Sequence, residues 1–197
     1  MNLEILKYDD SRTLAAKRLH ILNSAYRLFL EKGIDPVTMV AIASAAGVTR
    51  RTLYNYYENR DLIAEDLQIL TVEKVNWFDR LRNRLSPGSD LFEALMGFAR
   101  ELLKFHLDEM RFITKFDNYF ADSYPSDKFP RYLADRFSTL DREIEVPSAF
   151  VTIIQVYLAY LQRLVMIAGD SAFDYAEHEE HIALFTRTIV RGFEGTT

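Results

Sequence analysis

Thr38 to Arg60 reads TMVAIASAAGVTRRTLYNYYENR, and this stretch decides the fold. Thr38 is placed to cap a short helix whose apolar residues Val40, Ile42, Ala43 and Ala46 supply an inward face. Ala43 is small where two helices must touch. Gly47 falls in the turn that follows, where a positive φ or a close backbone approach is easiest for glycine, and Val48 plugs the core beside it. Thr49 caps a second short helix, in which only Leu53 and Tyr57, four residues apart, are inward anchors. The opposite face carries adjacent arginines among hydroxyl, amide and phenol groups. Two short helices joined by a tight turn, with that face outward, are what a helix-turn-helix entering a DNA major groove requires.

Working outward, Ser11 to Lys32 repeats apolar residues at Leu19, Leu22, Tyr26, Phe29 and Leu30, near the helical period, and Gly33 is a natural stop. Asp35-Pro36 makes the turn into the next helix. On the other side, Asn59 can cap a long helix with a stripe of Ile63, Leu67, Leu70, Lys74, Trp77, Phe78 and Leu81, ending before Ser86-Pro87-Gly88. That helix is expected to bridge an N-terminal head to the rest of the chain and to act as a lever between them. Further helices are expected over Asp90 to Asp108, with the pattern continuing through Phe112, Phe116, Tyr119 and Phe120, then over Phe129 to Ile144, Ser148 to Ala168 and Ser171 to Phe193.

Composition agrees with this division. A hydrophobic content of 49% is enough to build cores, and seven glycines and five prolines in 197 residues leave the long periodic stretches unbroken, so the fold class is all-α. Residues 1–60 hold nine Lys or Arg against six Asp or Glu, a net +3, whereas 61–197 hold fifteen against 23, a net −8. A basic head on an acidic body suits a nucleic-acid module carried by a region that phosphate repels. The absence of cysteine excludes disulfide scaffolds, thiolate zinc sites and cysteine nucleophiles, and with no secretory pattern at the N-terminus the expected location is cytoplasmic. The longest apolar run, Ala149 to Ala168, contains Gln155, Gln162 and Arg163, which fits burial in protein and no membrane span.

Ala43 to Leu62, ASAAGVTRRTLYNYYENRDL, resembles the DNA-binding region of the TetR family of bacterial transcriptional regulators, whose pattern centres on A-G-V-[ST]-x-x-T-[LI]-Y-x-[YH]-F. About 50 residues carry the resemblance. Tyr57 stands where the family usually has Phe, and Arg51 where a small residue is common. The resemblance implies an N-terminal three-helix helix-turn-helix domain, here 1–60, followed by a C-terminal helical ligand-binding and dimerisation bundle over 61–197, about nine helices in all. It further implies a homodimer on double-stranded DNA with a palindromic operator, an inducer pocket that controls the separation of the two heads, and repression relieved by ligand.

Residue chemistry assigns roles within that frame. Arg50 and Arg51 can pair bidentately with guanine or with phosphate. Thr49 and Thr52 present hydroxyls, Tyr54 and Tyr56 phenols, and Asn55 an amide suited to adenine or backbone; Thr38 and Arg60 are placed for phosphate at helix N-termini. In the body, Phe112, Phe116, Tyr119 and Phe120 share one helix face near Phe98 and Phe105, a lining for a small apolar or aromatic effector or simply a packed core. Ile154, Leu161 and Val165, with Ile182, Phe185 and Ile189, are the expected isologous dimer interface.

The competing class is a helical-bundle metal-binding or enzymatic protein. Its best feature is Glu177-His178-Glu179-Glu180-His181, but the histidines are three apart where the zinc-protease motif needs four, and a di-iron bundle needs paired sets. No phosphate loop or nucleophile elbow accompanies it. No metal, cofactor or catalytic residue is therefore expected.

Overall fold

The computed structural model describes residues 13–85, 88–121, 124–144, 149–168 and 173–194. Within them the chain forms ten helices: α1 (Thr13–Lys32), α2 (Met39–Ala45), α3 (Arg50–Tyr54), α4 (Arg60–Val75), α5 (Trp77–Arg84), α6 (Leu91–Phe105), α7 (Leu107–Tyr119), α8 (Lys128–Ile144), α9 (Ala149–Ala168) and α10 (Tyr175–Glu194). The described residues contain no strand.

One expected element divides. The stripe from Ile63 to Leu81 is not a single helix, because Asn76 takes a left-handed conformation at φ 55° and separates α4 from α5. Asparagine tolerates that region better than most residues.

The helices fall into two compact units, residues 1–74 with 115–130, and residues 75–114 with 131–197; the division is not at residue 60. In the first unit α1 packs on α2 and α2 on α3. The core is apolar around Ile21, Tyr26, Phe29, Ile42, Leu53 and Ile63, each essentially solvent-free. Burying a side chain of this size is worth about 1.5–3 kcal/mol, so these contacts can hold helices of five and seven residues that would not persist alone. Every residue of α4 from Ile63 to Gln68 is buried, including Glu65, Asp66 and Gln68. The helix is covered on all sides there, by polar as well as apolar partners.

In the second unit α6 packs against both α5 and α10, and α9 against α10. The buried Tyr157 hydroxyl donates to the Leu95 carbonyl at 3.1 Å and meets the Thr186 hydroxyl at 3.1 Å, tying α9 to α6 and α10. Arg80 and Arg84 of α5 share the Glu101 carboxylate of α6. Among the described residues no helix is long and apolar enough to cross a membrane.

Candidate nucleic-acid interface

The turn between α2 and α3 is built from backbone bonds that the sequence dictates. Gly47 N–H donates to the Ser44 carbonyl at 3.1 Å and Val48 N–H to the Ala43 carbonyl at 3.0 Å, the two bonds of a Schellman ending. Gly47 has φ 58°, and no atom lies within 4 Å of where a Cβ would sit, so the requirement is conformational and not one of close approach. The caps are side-chain bonds over three residues. Thr38 Oγ1 accepts from Ala41 N–H at 3.2 Å, Thr49 Oγ1 from Thr52 N–H at 3.1 Å, and Asn59 Oδ1 from Leu62 N–H at 3.0 Å. Thr49 and Thr52 also join their hydroxyls at 2.9 Å.

Of α3 only Leu53 is buried. Arg50, Arg51, Tyr54 and Asn55 are exposed and their side chains make no hydrogen bond or ion pair among the described residues; Tyr56 is half-buried. A short helix therefore presents two unneutralised guanidinium groups, a phenol and an amide to solvent on a face free of acidic partners. Val40, expected inward, is 44% exposed. It lies about 110° round the helix from the centre of the face made by Ile42, Ala43 and Ala46, too far to share their burial.

Arg60 corrects a second expectation. Its guanidinium is not directed at an external phosphate but donates to the Asp35 carbonyl, to the Val37 carbonyl at 3.2 Å, to the Asp35 carboxylate at 3.3 Å and to the Tyr119 hydroxyl at 3.1 Å. Burial alone would lower its pKa, and the hydrogen bonds to Tyr119 and Asp61 more than reverse that. Arg60 thus fastens the turn that leads to the Thr38 cap.

Sequence reasoning missed a polar cluster along α4. The Asp66 carboxylate, almost wholly buried, accepts from Arg18 of α1, from the Tyr57 hydroxyl at 2.8 Å and from Lys128 Nζ at 3.3 Å. Burial pushes Asp66 upward, but the Arg18 and Tyr57 donors and the two cations outweigh it and hold the carboxyl below its usual range. Burial and then the Asp66 charge push the Tyr57 phenol well above its ordinary value. Beside it, Glu65 accepts from Ser126 Oγ at 2.5 Å and from the Phe129 N–H at 3.0 Å, and Gln68, two residues beyond Asp66, donates to Asp117 and Tyr124. The only advance signal was Tyr57 in place of the family's Phe.

The six aromatics expected to line an effector pocket do not belong to one unit. Phe98 and Phe112 are buried in the second unit, where Phe105 is 74% exposed, while Phe116, Tyr119 and Phe120 belong to the first. Phe116 meets Phe29 of α1 edge-on at 6.1 Å, and Phe120 packs against Tyr119 and Tyr124. An i, i+4, i+7 register continues smoothly along α7, but the helix passes from one core into the other at residue 115. A cavity of about 60 Å³ in the second unit is lined by Phe78, Asp79, Arg82, Arg136, Thr139 and Leu140, none of them in that set.

Most of the residues expected at the dimer interface are covered within the chain itself. Ile154, Leu161, Val165 and Ile182 are buried within one chain, Phe185 stacks on Tyr160 at 3.8 Å, and Ile189 is half-buried. Among the described residues the large exposed apolar side chains of α9 and α10 are Val156, Met166, Ile167 and Leu184, with Ile167 69% and Leu184 64% accessible. In the Glu177–His181 run, Glu179 pairs with Arg100 at 2.9 Å and His178 meets Phe173 edge-on. The described residues hold no group of three or more His, Asp or Glu able to bind a metal.

Fold and surface together define an all-α protein with an N-terminal helix-turn-helix. Residues 21–67 match the family model for bacterial regulatory proteins of the tetR family. The chain is 31% identical over 102 residues to the HTH-type transcriptional regulator YvaF of Bacillus subtilis, 45% of this chain and 53% of that protein. It is 28% identical over 98 residues to the HTH-type transcriptional repressor KstR2 of Rhodococcus jostii, 48% of this chain and 47% of that one. The chain therefore spans about half the length of these curated relatives. A crystal structure of a TetR-family transcriptional regulator from Mesorhizobium loti shares the fold over 92% of this chain and 98% of its own, with a TM-score of 0.67 at 17% identity. The N-terminal segment thus resembles the DNA-binding region of the tetR family, and the chain shares the fold of a TetR-family structure.

Proposed function

We propose that this protein is a sequence-specific DNA-binding transcriptional regulator that works as a homodimer and responds to a small-molecule effector. The observation that carries the reading is the exposed face of α3, where Arg50, Arg51, Tyr54 and Asn55 project with no partner among the described residues. Arg50 and Arg51 read base edges, Tyr54 and Tyr56 hold phosphate, and Thr38, Thr49 and Thr52 contribute hydroxyls beside their capping bonds. Arg60 is left out of this set because its donors are spent internally. KstR2 bears the name of a repressor, so repression is the sense we assign.

The two-fold contact is formed by the outward faces of α9 and α10 around Val156, Ile167 and Leu184, in place of the residues first expected there, four of which are buried. A palindromic operator follows from that symmetry, with half-sites near one helical turn apart or a multiple of it. Effector binding falls to the unit of residues 75–114 and 131–197 on the family resemblance.

The test is titration of labelled fragments from the region upstream of the protein's own gene at several salt concentrations. Retardation that weakens steeply with salt supports the reading. Failure to retard any such fragment at low salt refutes it.

A further inference from the structure

Helix α3 is five residues long and buries one side chain, so something else must fix its direction. The next inward anchor is Tyr57, whose N–H returns to the Leu53 carbonyl at 3.0 Å and whose ring is buried. A phenylalanine would fill the same space. The hydroxyl adds a bond to Asp66 Oδ2 at 2.8 Å and accepts Arg18 Nε at 2.9 Å. Asp66 in turn receives Lys128 Nζ on its other oxygen at 3.3 Å. One buried carboxylate thus gathers donors from α1, from the residue that ends the recognition segment, and from the first residue of α8.

We propose that Tyr57 and Asp66 are positioning residues for DNA recognition, and that through them the orientation of α3 depends on Lys128. The inference rests on reading α3 as the recognition helix. The hydroxyl fixes where Tyr57 sits against α4, and with it the C-terminal end of α3, since a ring held only by apolar contact can slide and tilt. Lys128 holds the carboxylate oriented toward that hydroxyl. Loss of the Lys128 contact frees Oδ1 and leaves the carboxylate held through Oδ2 alone, the oxygen that Arg18 and Tyr57 share, so the phenol keeps an acceptor whose orientation is less tightly fixed.

The experiment uses the full chain and a DNA fragment enriched in vitro by the wild-type protein. Binding to that fragment and to non-specific DNA is measured over a salt series for wild type, Tyr57→Phe, Lys128→Met, the double variant and Lys128→Arg, with urea unfolding of each. Tyr57→Phe and Lys128→Met are expected to weaken binding to the enriched fragment about tenfold, within the range of couplings between sites in proteins. Non-specific affinity and the salt slope should stay as in wild type, the double variant should be no weaker than Tyr57→Phe alone, and Lys128→Arg should restore binding. Equal losses on both DNAs, a salt slope lowered by about one for Lys128→Met, additive effects, or unchanged binding would each overturn the proposal. If wild type enriches no fragment, the DNA-binding reading itself fails, an outcome separate from all of these.

Discussion

The Tyr119 hydroxyl donates to Asp61 Oδ1 at 3.0 Å while accepting from Arg60 at 3.1 Å, so the last residue of α7 is bonded to the first two residues of α4. Burial and then the bond to Asp61 push its phenol above the ordinary value. Tyr119→Phe keeps the ring against Phe120 and deletes only the hydroxyl. The expected cost is about 1 kcal/mol, the usual net worth of one such bond, read as a lower urea midpoint at unchanged slope.

Arg60→Ala should cost more, about 1–2 kcal/mol, because it removes the part-buried bonds to the Val37 carbonyl and to Tyr119 together with the contacts to the exposed Asp35. Its effect on DNA distinguishes the two roles given to this residue. A phosphate ligand would lower the salt slope of binding by about one when removed. The internal bonds predict an unchanged slope alongside the lost stability, measured by salt-dependent DNA titration and urea unfolding.

What the sequence made legible was short-range. The caps at Thr38, Thr49 and Asn59 each close a bond over three residues, and Gly47 forms a turn whose two bonds lie within a six-residue window. The outward face of α3 follows from the same local logic, since one turn with a single anchor at Leu53 leaves little else to bury. Arg60 and Asp66 were not legible because, Asp61 beside Arg60 apart, their partners lie between 9 and 62 residues away. Periodicity counts apolar residues, so it has no means of marking Glu65 or Gln68 as buried. It also cannot tell a helix that buries its stripe in its own chain from one that offers it to another copy, and Ile154 and Leu161, expected at a dimer interface, are buried in their own chain.

Gly47→Ala isolates the backbone term at the turn. With φ at 58° and no neighbour within 4 Å of the new methyl, the substitution meets no clash and forfeits only the left-handed preference of glycine. A destabilisation of about 1–2 kcal/mol is expected in urea, and Gly47→Asn should recover part of it.

The proposed dimer face separates assembly from folding. Leu184→Asp places a charge on a side chain that is 64% exposed in one chain, so the protomer should fold with stability within about 0.5 kcal/mol of wild type and sediment as a monomer at micromolar concentration. Leu161→Asp buries an unpaired carboxylate and should unfold the protein or cost more than about 3 kcal/mol. Circular dichroism and sedimentation of both variants check the contrast.

Asp66 predicts an acid limb of stability with a definite sign. Its folded pKa lies below the ordinary 3.8, so between the two values the unfolded chain binds the proton and the folded chain does not, and stability rises with pH. The contribution is complete above about 3.8 and disappears as pH falls through the lower folded value. Asp66→Asn should therefore be less stable than wild type by about 2 kcal/mol at neutral pH, the worth of hydrogen bonds to a charged group. That gap should hold steady down to about pH 5 and narrow below about 4, measured by urea unfolding at each pH. Tyr57→Phe removes one donor from the carboxylate and raises its folded pKa, so in that background the gap should be smaller at neutral pH and close at a higher pH. A gap that already narrows between pH 7 and 6 would mean that burial dominates and that the carboxyl lies above its ordinary value, contrary to the donors arranged around it.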